Sequence, residues 1–353
     1  MAQRSLPKFR FLCFGVGAQG IYLGANLQEA GHDVVFVDRP ENVSVLTRKG
    51  LELKSDRVDI RIHHPTVMAT IEEALTQGPY EAAIFAVKGY DTARVSKYLA
   101  PYQVALPAFI CLQNGIGNEA HLVHVFGPEK VIPGVMTTSI RRTEPGRAIV
   151  LHERGIGLSG RHSLISAIMA VFNQAGMNAN YIRNAANMKW SKLLLNLMTN
   201  ASAAILQMTP EDIIRDAELR EIEVEAVREA LAVMQAQNLR LVNLPAYPLK
   251  WLQYLVREEV PASLRDPILI KMVSNSWGND LPILAEDLMS GKPQSEVEQL
   301  NGEVVRHALQ SGMRASVNQA LYDMLTAIVH GAIPIEQYYK NKQAYLATIH
   351  KYR

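Results

Sequence analysis

A lysine and two asparagines recur at every fourth residue within an otherwise apolar run. Lys192, Asn196 and Asn200 lie in WSKLLLNLMTNASAA (190–204), where most other side chains are Leu, Met or Ala. On one helix this spacing would stack an ammonium group and two carboxamides on a single face. Burying an unmatched amide costs roughly 1–3 kcal/mol, and a charge costs more. The pattern therefore predicts a helix face that lines a polar, substrate-binding cavity.

The same residues have a second explanation that needs no substrate. The Lys192 side chain could extend along the helix so that its ammonium group reaches water. Asn196 and Asn200 could cap or bridge neighbouring helices, as most such residues do. The three residues by themselves leave both explanations open.

The elements that position these residues fall into two halves with different patterns. In the first half, helical segments alternate with short apolar runs: FRFLCFGV (9–16), DVVFVD (33–38), AAIFAVK (82–88), AFICLQN (108–114) and KVIPGVM (130–136). This alternation predicts a Rossmann-type, doubly wound and mostly parallel sheet, with helices on both faces. We expect residues from about 145 to 183 to add closing strands and one more helix to that sheet.

The second half has helical periodicity and few β-branched runs, which predicts an all-helical domain. One helix should span about 218–237, with Glu and Arg facing water opposite an apolar stripe. We therefore predict an α/β protein with a dinucleotide-binding domain at 1–185 and a helical substrate domain at 186–353. The Tyr-rich segment 333–353 is expected to form either a tail helix or a contact in a homodimer.

A glycine-rich turn follows the first predicted strand. It reads GVGAQG and contains Gly15, Val16, Gly17, Ala18, Gln19 and Gly20. The first glycine permits a tight turn, the second lets a pyrophosphate approach the backbone, and the third allows the helix to pack closely on the strand. The helix N-terminus attracts the phosphates. The strand, turn and helix together predict a dinucleotide site.

Two neighbouring residues bear on which dinucleotide would bind. Asp38 ends the second strand, where a carboxylate can accept the adenine ribose hydroxyls and would repel a 2′-phosphate, which favours NADH. Arg39 could instead stack on adenine or pair with the 2′-phosphate of NADPH. The alternative is that Asp38 and Arg39 form a surface turn before Pro40.

Two further loops follow predicted strands of the same sheet. AVKGYD contains Lys88, and LQNGIGNE contains Asn114 and Gly115. Ligands of doubly wound sheets bind outside the carboxyl ends of the strands, so Lys88 and Asn114 are candidate contacts to cofactor or substrate. Both could also be turn residues with solvated side chains.

Length and composition limit the classes of protein that fit. The 353 residues suit two domains, and 36 Lys and Arg against 34 Asp and Glu leave a net charge of +2, which argues against a nucleic-acid partner. No apolar run approaches the roughly 20 residues that cross a bilayer, so we expect no membrane partner. Cys13 and Cys111 lie in apolar runs, which indicates reduced core thiols in a cytoplasmic protein. We predict no metal site.

Five segments, in this order along the chain, resemble the ketopantoate (2-dehydropantoate) reductase family. They are GVGAQG (15–20), VKGYD (87–91), QNGIGNE (113–119), KLLLNLMTN (192–200) and SEVEQLNGEV (295–304). The resemblance implies a Rossmann domain followed by a helical domain. It also implies reduction of a 2-keto acid to the 2-hydroxy acid by NADPH, in the pantothenate pathway.

The resemblance also implies roles for individual residues. Lys192 would be the proton donor, Asn196 and Asn200 would bind substrate, and Asn114 would lie between nicotinamide and substrate. Lys88 would contact the cofactor. Glu296 would contact the cofactor or the substrate hydroxyl, and could hold the lysine ammonium in place; on sequence alone, it could equally be a solvated glutamate after Ser295 as an N-cap.

The chain departs from the family pattern at two positions. Asp38 replaces a residue compatible with a 2′-phosphate, and Ile283 stands where the family carries a Ser that helps to bind the substrate carboxylate. The second departure keeps open a related β-hydroxyacid or opine-type dehydrogenase that acts on a different keto acid. A non-catalytic sensor of nicotinamide nucleotides is a more remote alternative, since it would not need Lys192, the two asparagines and Glu296.

Overall fold

The computed structural model describes residues 7–277 and 281–353 and contains two compact units. The first unit runs to Gln113 and also contains Asn118–Met188 and Leu244–Tyr247. The second contains Asn114–Gly117, Lys189–Asn243 and the described residues from Pro248 onward. The predicted domains 1–185 and 186–353 stay a prediction, because compact units do not by themselves establish domains that fold independently.

The first unit contains two β-sheets. Its strands are β1 (Arg10–Phe14), β2 (Asp33–Val37), β3 (Leu51–Lys54), β4 (Asp59–Ile62), β5 (Thr66–Met68), β6 (Ala82–Phe85), β7 (Ala108–Cys111), β8 (Val131–Met136), β9 (Ser139–Glu144), β10 (Arg147–His152), β11 (Ile156–Leu158) and β12 (Ala179–Tyr181). Eight strands form the main sheet in the order β12-β11-β8-β7-β6-β1-β2-β5. Its strands pair in parallel except β8 with β11.

Strand order in the main sheet reverses beside β1. The chain passes from β1 to β2 on one side and later returns to β6 on the other. The loops after β1 and β6 therefore leave the sheet at a topological switch point, where ligands of doubly wound sheets bind. This is the Rossmann-type arrangement that the sequence predicted.

Apolar side chains cover both faces of the main sheet. Successive side chains along its central strands point alternately into two buried cores. One core contains Phe11, Cys13, Phe36, Ile84 and Ile110, and the other contains Leu12, Phe14, Phe85, Phe109 and Cys111. Cys13 and Cys111 are buried and form no disulfide bond with each other, which confirms them as core thiols. Burial raises the pKa of the Cys13 thiol far above its usual range.

The helices of this unit are α1 (Ala18–Glu29), α2 (Pro40–Lys49), α3 (Ile71–Leu75), α4 (Thr92–Leu99), α5 (Asn118–Phe126) and α6 (Ile165–Gln174). The small second sheet, in the order β4-β3-β10-β9, packs against α1. The expectation that residues 145–183 all extend the main sheet was therefore wrong for β10, which pairs with β3 and β9 in the small sheet. Strands β11 and β12 do extend the main sheet.

From residue 185 onward the described residues are mostly helical, as predicted. The helices are α7 (Ala185–Leu197), α8 (Asn200–Leu206), α9 (Pro210–Arg215), α10 (Ala217–Ala236), α11 (Leu252–Leu255), α12 (Ala262–Trp277), α13 (Ile283–Met289), α14 (Glu303–Gln310), α15 (Ser316–Val329) and α16 (Lys342–His350). A π-helical turn at Glu298–Gly302 leads into α14. Among the described residues, no helix combines the length and apolar character needed to cross a membrane.

The Tyr-rich C-terminal segment folds onto its own unit. Tyr345 and Ile349 of α16 are fully buried, and Tyr338 is almost so. These side chains supply core packing, so the segment forms a tail helix, the first of the two predicted possibilities. A homodimer stays a prediction.

Candidate active site

The glycine-rich turn starts directly after β1. Gly15 has a left-handed backbone (φ 94°), and its N–H donates to the carbonyl of Val37 at the end of β2 (2.9 Å). Helix α1 begins at Ala18. Its N-cap residue is Gly17, which has no side chain to cap the first N–H groups of the helix. The turn and the open helix N-terminus therefore lie at the switch point of the sheet, where a phosphate group would meet backbone N–H groups.

The three glycines of the turn differ in what a side chain would meet. A Cβ on Gly20 would lie 2.0 Å from the carbonyl oxygen of Gly15, so helix and turn pack together only without one. A Cβ on Gly17 would meet no protein atom within 4 Å, and the backbone there is extended (φ −81°). Packing explains Gly20 but not Gly17. Open space beside Gly17 fits the approach of a pyrophosphate.

Asp38 holds the glycine turn in place. Its Oδ2 accepts the N–H of Val16 (2.6 Å), and its Oδ1 accepts the side-chain N–H of Asn42 (2.6 Å) and the N–H of Arg39 (2.8 Å). The carboxylate is therefore fixed beside the turn by three donors. Such a carboxylate has about four acceptor positions, so capacity for a ribose hydroxyl remains.

Arg39 is more loosely held. Its side chain is 64% exposed, and its guanidinium lies 3.4 Å from Asp91. The residue caps the start of α2 with an extended backbone before Pro40. The guanidinium is therefore accessible to an anion.

A buried polar network joins the two loops that follow β6 and β7, and the sequence did not predict it. The Gln113 side chain donates to the Val87 carbonyl (2.7 Å) and to the Thr92 hydroxyl (2.8 Å), and that hydroxyl donates to Asn118 (2.8 Å). The segment 87–88 is thereby held by the loop of the next strand. Gln113 and Asn118 both lie in the QNGIGNE segment, so the signal was present there. Lys88 is half-buried between Val87 and a 3-10 turn at Gly89–Asp91.

Helix α7 carries the first two residues of the predicted polar stripe. Lys192 is half-buried, and Asn196, one turn later, is 7% exposed. The Asn196 side chain donates to the side-chain oxygen of Asn114 (3.3 Å). The structure therefore brings together two predicted site residues that are 82 positions apart.

The third residue of the stripe is not on the same helix, so the prediction of one continuous helix through Asn200 was wrong. Helix α7 ends at Leu197, and α8 begins at Asn200. Between them Thr199 has a left-handed backbone (φ 65°), which breaks the helical path. Asn200 is nearly fully buried, and its side-chain oxygen accepts the N–H of Leu284 (3.3 Å), in the first turn of α13.

Asn114 belongs to the second unit through the packing of the segment Asn114–Gly117. Gly115 has a left-handed backbone (φ 82°), and a Cβ there would lie 2.4 Å from the carbonyl oxygen of Gln299. The Ile116 N–H donates to that same carbonyl (3.1 Å). This close backbone approach requires the glycine of the QNGIGNE segment, and it fixes Asn114 next to Asn196.

Glu296 lies in the turn before the π-helical residues Glu298–Gly302 and is 4% exposed. Ser295 accepts the N–H of Val297 (3.2 Å). Glu296 is therefore not the solvated glutamate considered above, because its side chain is buried. A buried carboxylate of this kind is retained only with polar or charged partners.

The second unit thus offers an ammonium group, three carboxamides and a carboxylate on segments that pack together. A lysine can stabilise charge that develops on a carbonyl oxygen and can deliver a proton to it. Carboxamides can bind the carboxylate and hydroxyl groups of a small acid. The first unit offers a glycine turn, Asp38, Arg39 and Lys88 at a switch point, which can hold a dinucleotide. Their roles stay predictions.

Two family models match the chain. Residues 11–159 match "Ketopantoate reductase PanE/ApbA", and residues 184–329 match "Ketopantoate reductase PanE/ApbA C terminal". A 2-dehydropantoate 2-reductase from Archaeoglobus fulgidus is 27% identical over 91% of this chain and 98% of its own. One from Pyrococcus abyssi is 26% identical over 88% of this chain and 95% of its own.

Solved structures share the fold. A PanE/ApbA family ketopantoate reductase from Ralstonia eutropha JMP134 superposes with a TM-score of 0.76 at 23% identity, covering 91% of this chain and 99% of that one. A D-mandelate dehydrogenase, solved with NADH and anilino(oxo)acetate, superposes with a TM-score of 0.74 at 16% identity, covering 91% and 98%. The architecture is thus shared by enzymes named for different substrates.

Proposed function

The chain belongs to the ketopantoate reductase family, and we propose that it reduces 2-dehydropantoate to pantoate. Members of this family are nicotinamide-dependent oxidoreductases that act on CH–OH groups. The reaction is a step of pantothenate biosynthesis. The observation that carries the proposal is the hydrogen bond between Asn196 and Asn114. It joins two of the family-like segments through the side chains expected to meet the substrate.

The proposed chemistry follows from the residues of the second unit. A reduced nicotinamide held at the glycine turn would supply the hydride for the keto carbon, so that negative charge would develop on the carbonyl oxygen. The Lys192 ammonium donates a proton to that oxygen, so that a hydroxyl group forms and a neutral amine remains. Asn196, Asn200 and Asn114 orient the acid, and Glu296 holds the ammonium or the new hydroxyl.

The direct test is absorbance at the reduced-nicotinamide band with 2-dehydropantoate present. Parallel reactions contain NADPH or NADH, and a control omits the keto acid. Oxidation that depends on the keto acid supports the proposal. Tight cofactor binding without turnover on any keto acid would instead favour the nucleotide sensor.

For the cofactor, we propose a preference for NADH over NADPH. The Asp38 carboxylate is fixed by three donors beside the glycine turn, where it would repel a 2′-phosphate. Arg39 opposes this preference, because its exposed guanidinium could pair with that phosphate. We expect Asp38→Asn to shift the ratio of kcat/KM values towards NADPH by about tenfold, and Arg39→Ala to shift it towards NADH.

Comparing the two cofactors within each variant removes any general loss of folding from the result. If Asp38→Asn leaves the ratio unchanged, Asp38 serves only to hold the turn. If wild type prefers NADPH and Arg39→Ala abolishes that preference, Arg39 sets the cofactor choice and our proposal is wrong.

A related dehydrogenase acting on a different keto acid is the second candidate. Ile283 favours it, since it opens α13 directly before Leu284, whose N–H binds Asn200. An apolar side chain there cannot supply the hydroxyl that the family uses for the substrate carboxylate. A panel of 2-keto acids, with and without amino acids, separates the candidates. If Ile283 is responsible for a different substrate, Ile283→Ser will raise kcat/KM for 2-dehydropantoate.

A further inference from the structure

Helix α8, which carries Asn200, is short and is bounded at both ends by strained backbone. Thr199 before it (φ 65°) and Gln207 after it (φ 51°) are both in the left-handed region. That region is unfavourable for residues with a Cβ, most of all for a β-branched residue such as Thr199. Such conformations persist only where the surrounding structure holds them. The position of α8 therefore depends on contacts from elsewhere in the chain.

Glu223 of α10 holds the N-terminal end of α8. Its Oε2 accepts the N–H of Thr199 (2.6 Å), and its Oε1 accepts the hydroxyl of Ser202. The side chain is 1% exposed, and burial raises the pKa of the carboxyl to about 7, against the opposing effect of these two hydrogen bonds. The carboxyl is thus directed at the break between α7 and α8.

Tyr345 of α16 extends this contact to the C-terminal segment. Its hydroxyl lies 2.7 Å from the hydroxyl of Ser202, and its side chain is fully buried. One hydrogen-bonded series therefore runs from Tyr345 through Ser202 and Glu223 to the backbone of Thr199. Thr199 directly precedes Asn200.

The same segment holds the other end of α8. The N–H of Lys340 donates to the carbonyl of Leu206, the last residue of α8 (2.9 Å). The Lys342 ammonium lies 2.7 Å from Asp216 and 2.6 Å from Glu218, at the start of α10. The segment therefore contacts both α8 and the helix that carries Glu223.

Residues 334–353 lie beyond the part of the chain that the family models match, which ends at residue 329. We name them the C-terminal brace. We propose that the brace, through Tyr345, Ser202 and Glu223, positions Asn200 for the keto-acid substrate. This inference rests on the proposed function, because it takes Asn200 as a substrate contact. Tyr345 and Glu223 are positioning residues, since they act through α8.

The geometry predicts which kinetic constant the brace controls. Lys192 and Asn196 lie on α7, before the break, whereas Asn200 is the first residue of α8. Loosening α8 therefore displaces Asn200 more than the proton donor. Substrate binding should weaken more than the proton-transfer step slows.

Two tyrosines of the brace give a matched pair of variants. Tyr345→Phe removes the hydroxyl that meets Ser202, whereas Tyr338→Phe removes a hydroxyl that lies 3.1 Å from that of Thr348, within the brace itself. Both side chains are buried, so both variants keep the same aromatic packing. For Tyr345→Phe we expect KM for the keto acid to rise about tenfold, with KM for the nicotinamide cofactor and the kcat value within about twofold of wild type. Tyr338→Phe should match wild type.

Replacing the carboxyl provides an independent test with a rescue. Glu223→Ala removes both acceptors and should raise KM for the keto acid by at least as much as Tyr345→Phe. Glu223→Gln keeps an oxygen for the Thr199 N–H and an amide for Ser202, so it should restore KM to within about threefold of wild type. If Glu223→Ala does not fold, Ser202→Ala tests the same series with a smaller change.

The keto acid in these assays is the one that wild type reduces fastest in the panel, so failure of the inference can be told from failure of the proposed function. If wild type reduces no keto acid, the proposed function fails, and the inference about its substrate fails with it. If wild type turns over but Tyr345→Phe has the KM of Tyr338→Phe, the function stands and the brace is only structural. Equal losses in Glu223→Gln and Glu223→Ala would also overturn the inference.

Discussion

The glycine turn after β1 and the break between α7 and α8 are both sharp bends beside predicted binding residues, but they are built differently. The turn uses glycines, with a left-handed Gly15 and a Gly20 that leaves no room for a Cβ. The break places Thr199, a β-branched residue, in the left-handed region and holds it with Glu223. A local motif determines the first bend and long-range contacts determine the second. Only the first could therefore be predicted from sequence.

The largest expected effect concerns the local bend. Gly20→Ala places a Cβ 2.0 Å from the backbone oxygen of Gly15, so turn and helix must separate. We expect the variant to lose the folded first unit, as measured by thermal unfolding and by the yield of soluble protein. A variant with wild-type melting would show that the turn adapts and that the local motif is less rigid than the structure indicates.

Gly17→Ala is the matched variant in the same turn. The new methyl group meets no protein atom within 4 Å and the backbone is extended, so the fold should be retained. The methyl group would occupy the space that a pyrophosphate needs, and we expect cofactor affinity to fall by about tenfold or more. Titration of NADH or NADPH by calorimetry measures this. Unchanged affinity would show that the pyrophosphate does not pass Gly17.

The long-range bend should respond to pH. The Glu223 carboxyl has a pKa of about 7 in the folded chain against an ordinary value of 4.5, because burial disfavours its charge. A raised carboxyl pKa means that the folded state binds the extra proton, so stability falls as pH rises from about 4.5 to 7. The buried Tyr345 beside it has a pKa raised well above 10 and stays neutral. Glu223→Gln should therefore gain about 3 kcal/mol relative to wild type between about pH 4.5 and pH 8.

Urea unfolding of both proteins at the two pH values gives that difference. Other titrating groups cancel, since they are shared. A difference that does not change with pH would show that Glu223 is not protonated preferentially in the folded state.

The smallest expected effect is at Thr199. Thr199→Gly removes the strain of a left-handed Thr but raises the entropy of the unfolded chain, and the two terms are each about 1 kcal/mol. We expect a melting temperature close to that of wild type. The opposite substitution in the turn, Gly15→Ala at φ 94°, should be clearly destabilising. If Thr199→Gly destabilises strongly, the hydroxyl that bonds the Met198 carbonyl (2.7 Å) is more important than the backbone strain.

Sequence patterns were sufficient where neighbouring residues determine the structure. The parallel strands, helix α1 and the helical second half could all be predicted, because apolar periodicity and glycine spacing are local signals. The small sheet could not, since β3 and β10 lie nearly one hundred residues apart and pair only in the folded chain.

The candidate site divides in the same way. The glycine turn and the segment around Asn114 carry recognisable spacing. The end of α7 does not: Lys192, Asn196 and Asn200 have helical spacing, yet contacts of Thr199 with Glu223 interrupt the helix. Gln113 could have been noticed, because it precedes Asn114 in the same segment, but only the structure shows it bonded to Val87 and Thr92.

The central claim is that Lys192 donates the proton in reduction of a 2-keto acid. The most direct measurement compares kcat of wild type, Lys192→Ala and Lys250→Ala, in which an exposed lysine of the same unit is removed. Lys192→Ala should lower kcat by roughly 10²–10⁴-fold with unchanged cofactor affinity, the size expected for loss of a general acid, while Lys250→Ala matches wild type. Turnover by Lys192→Ala at the wild-type rate would contradict the claim.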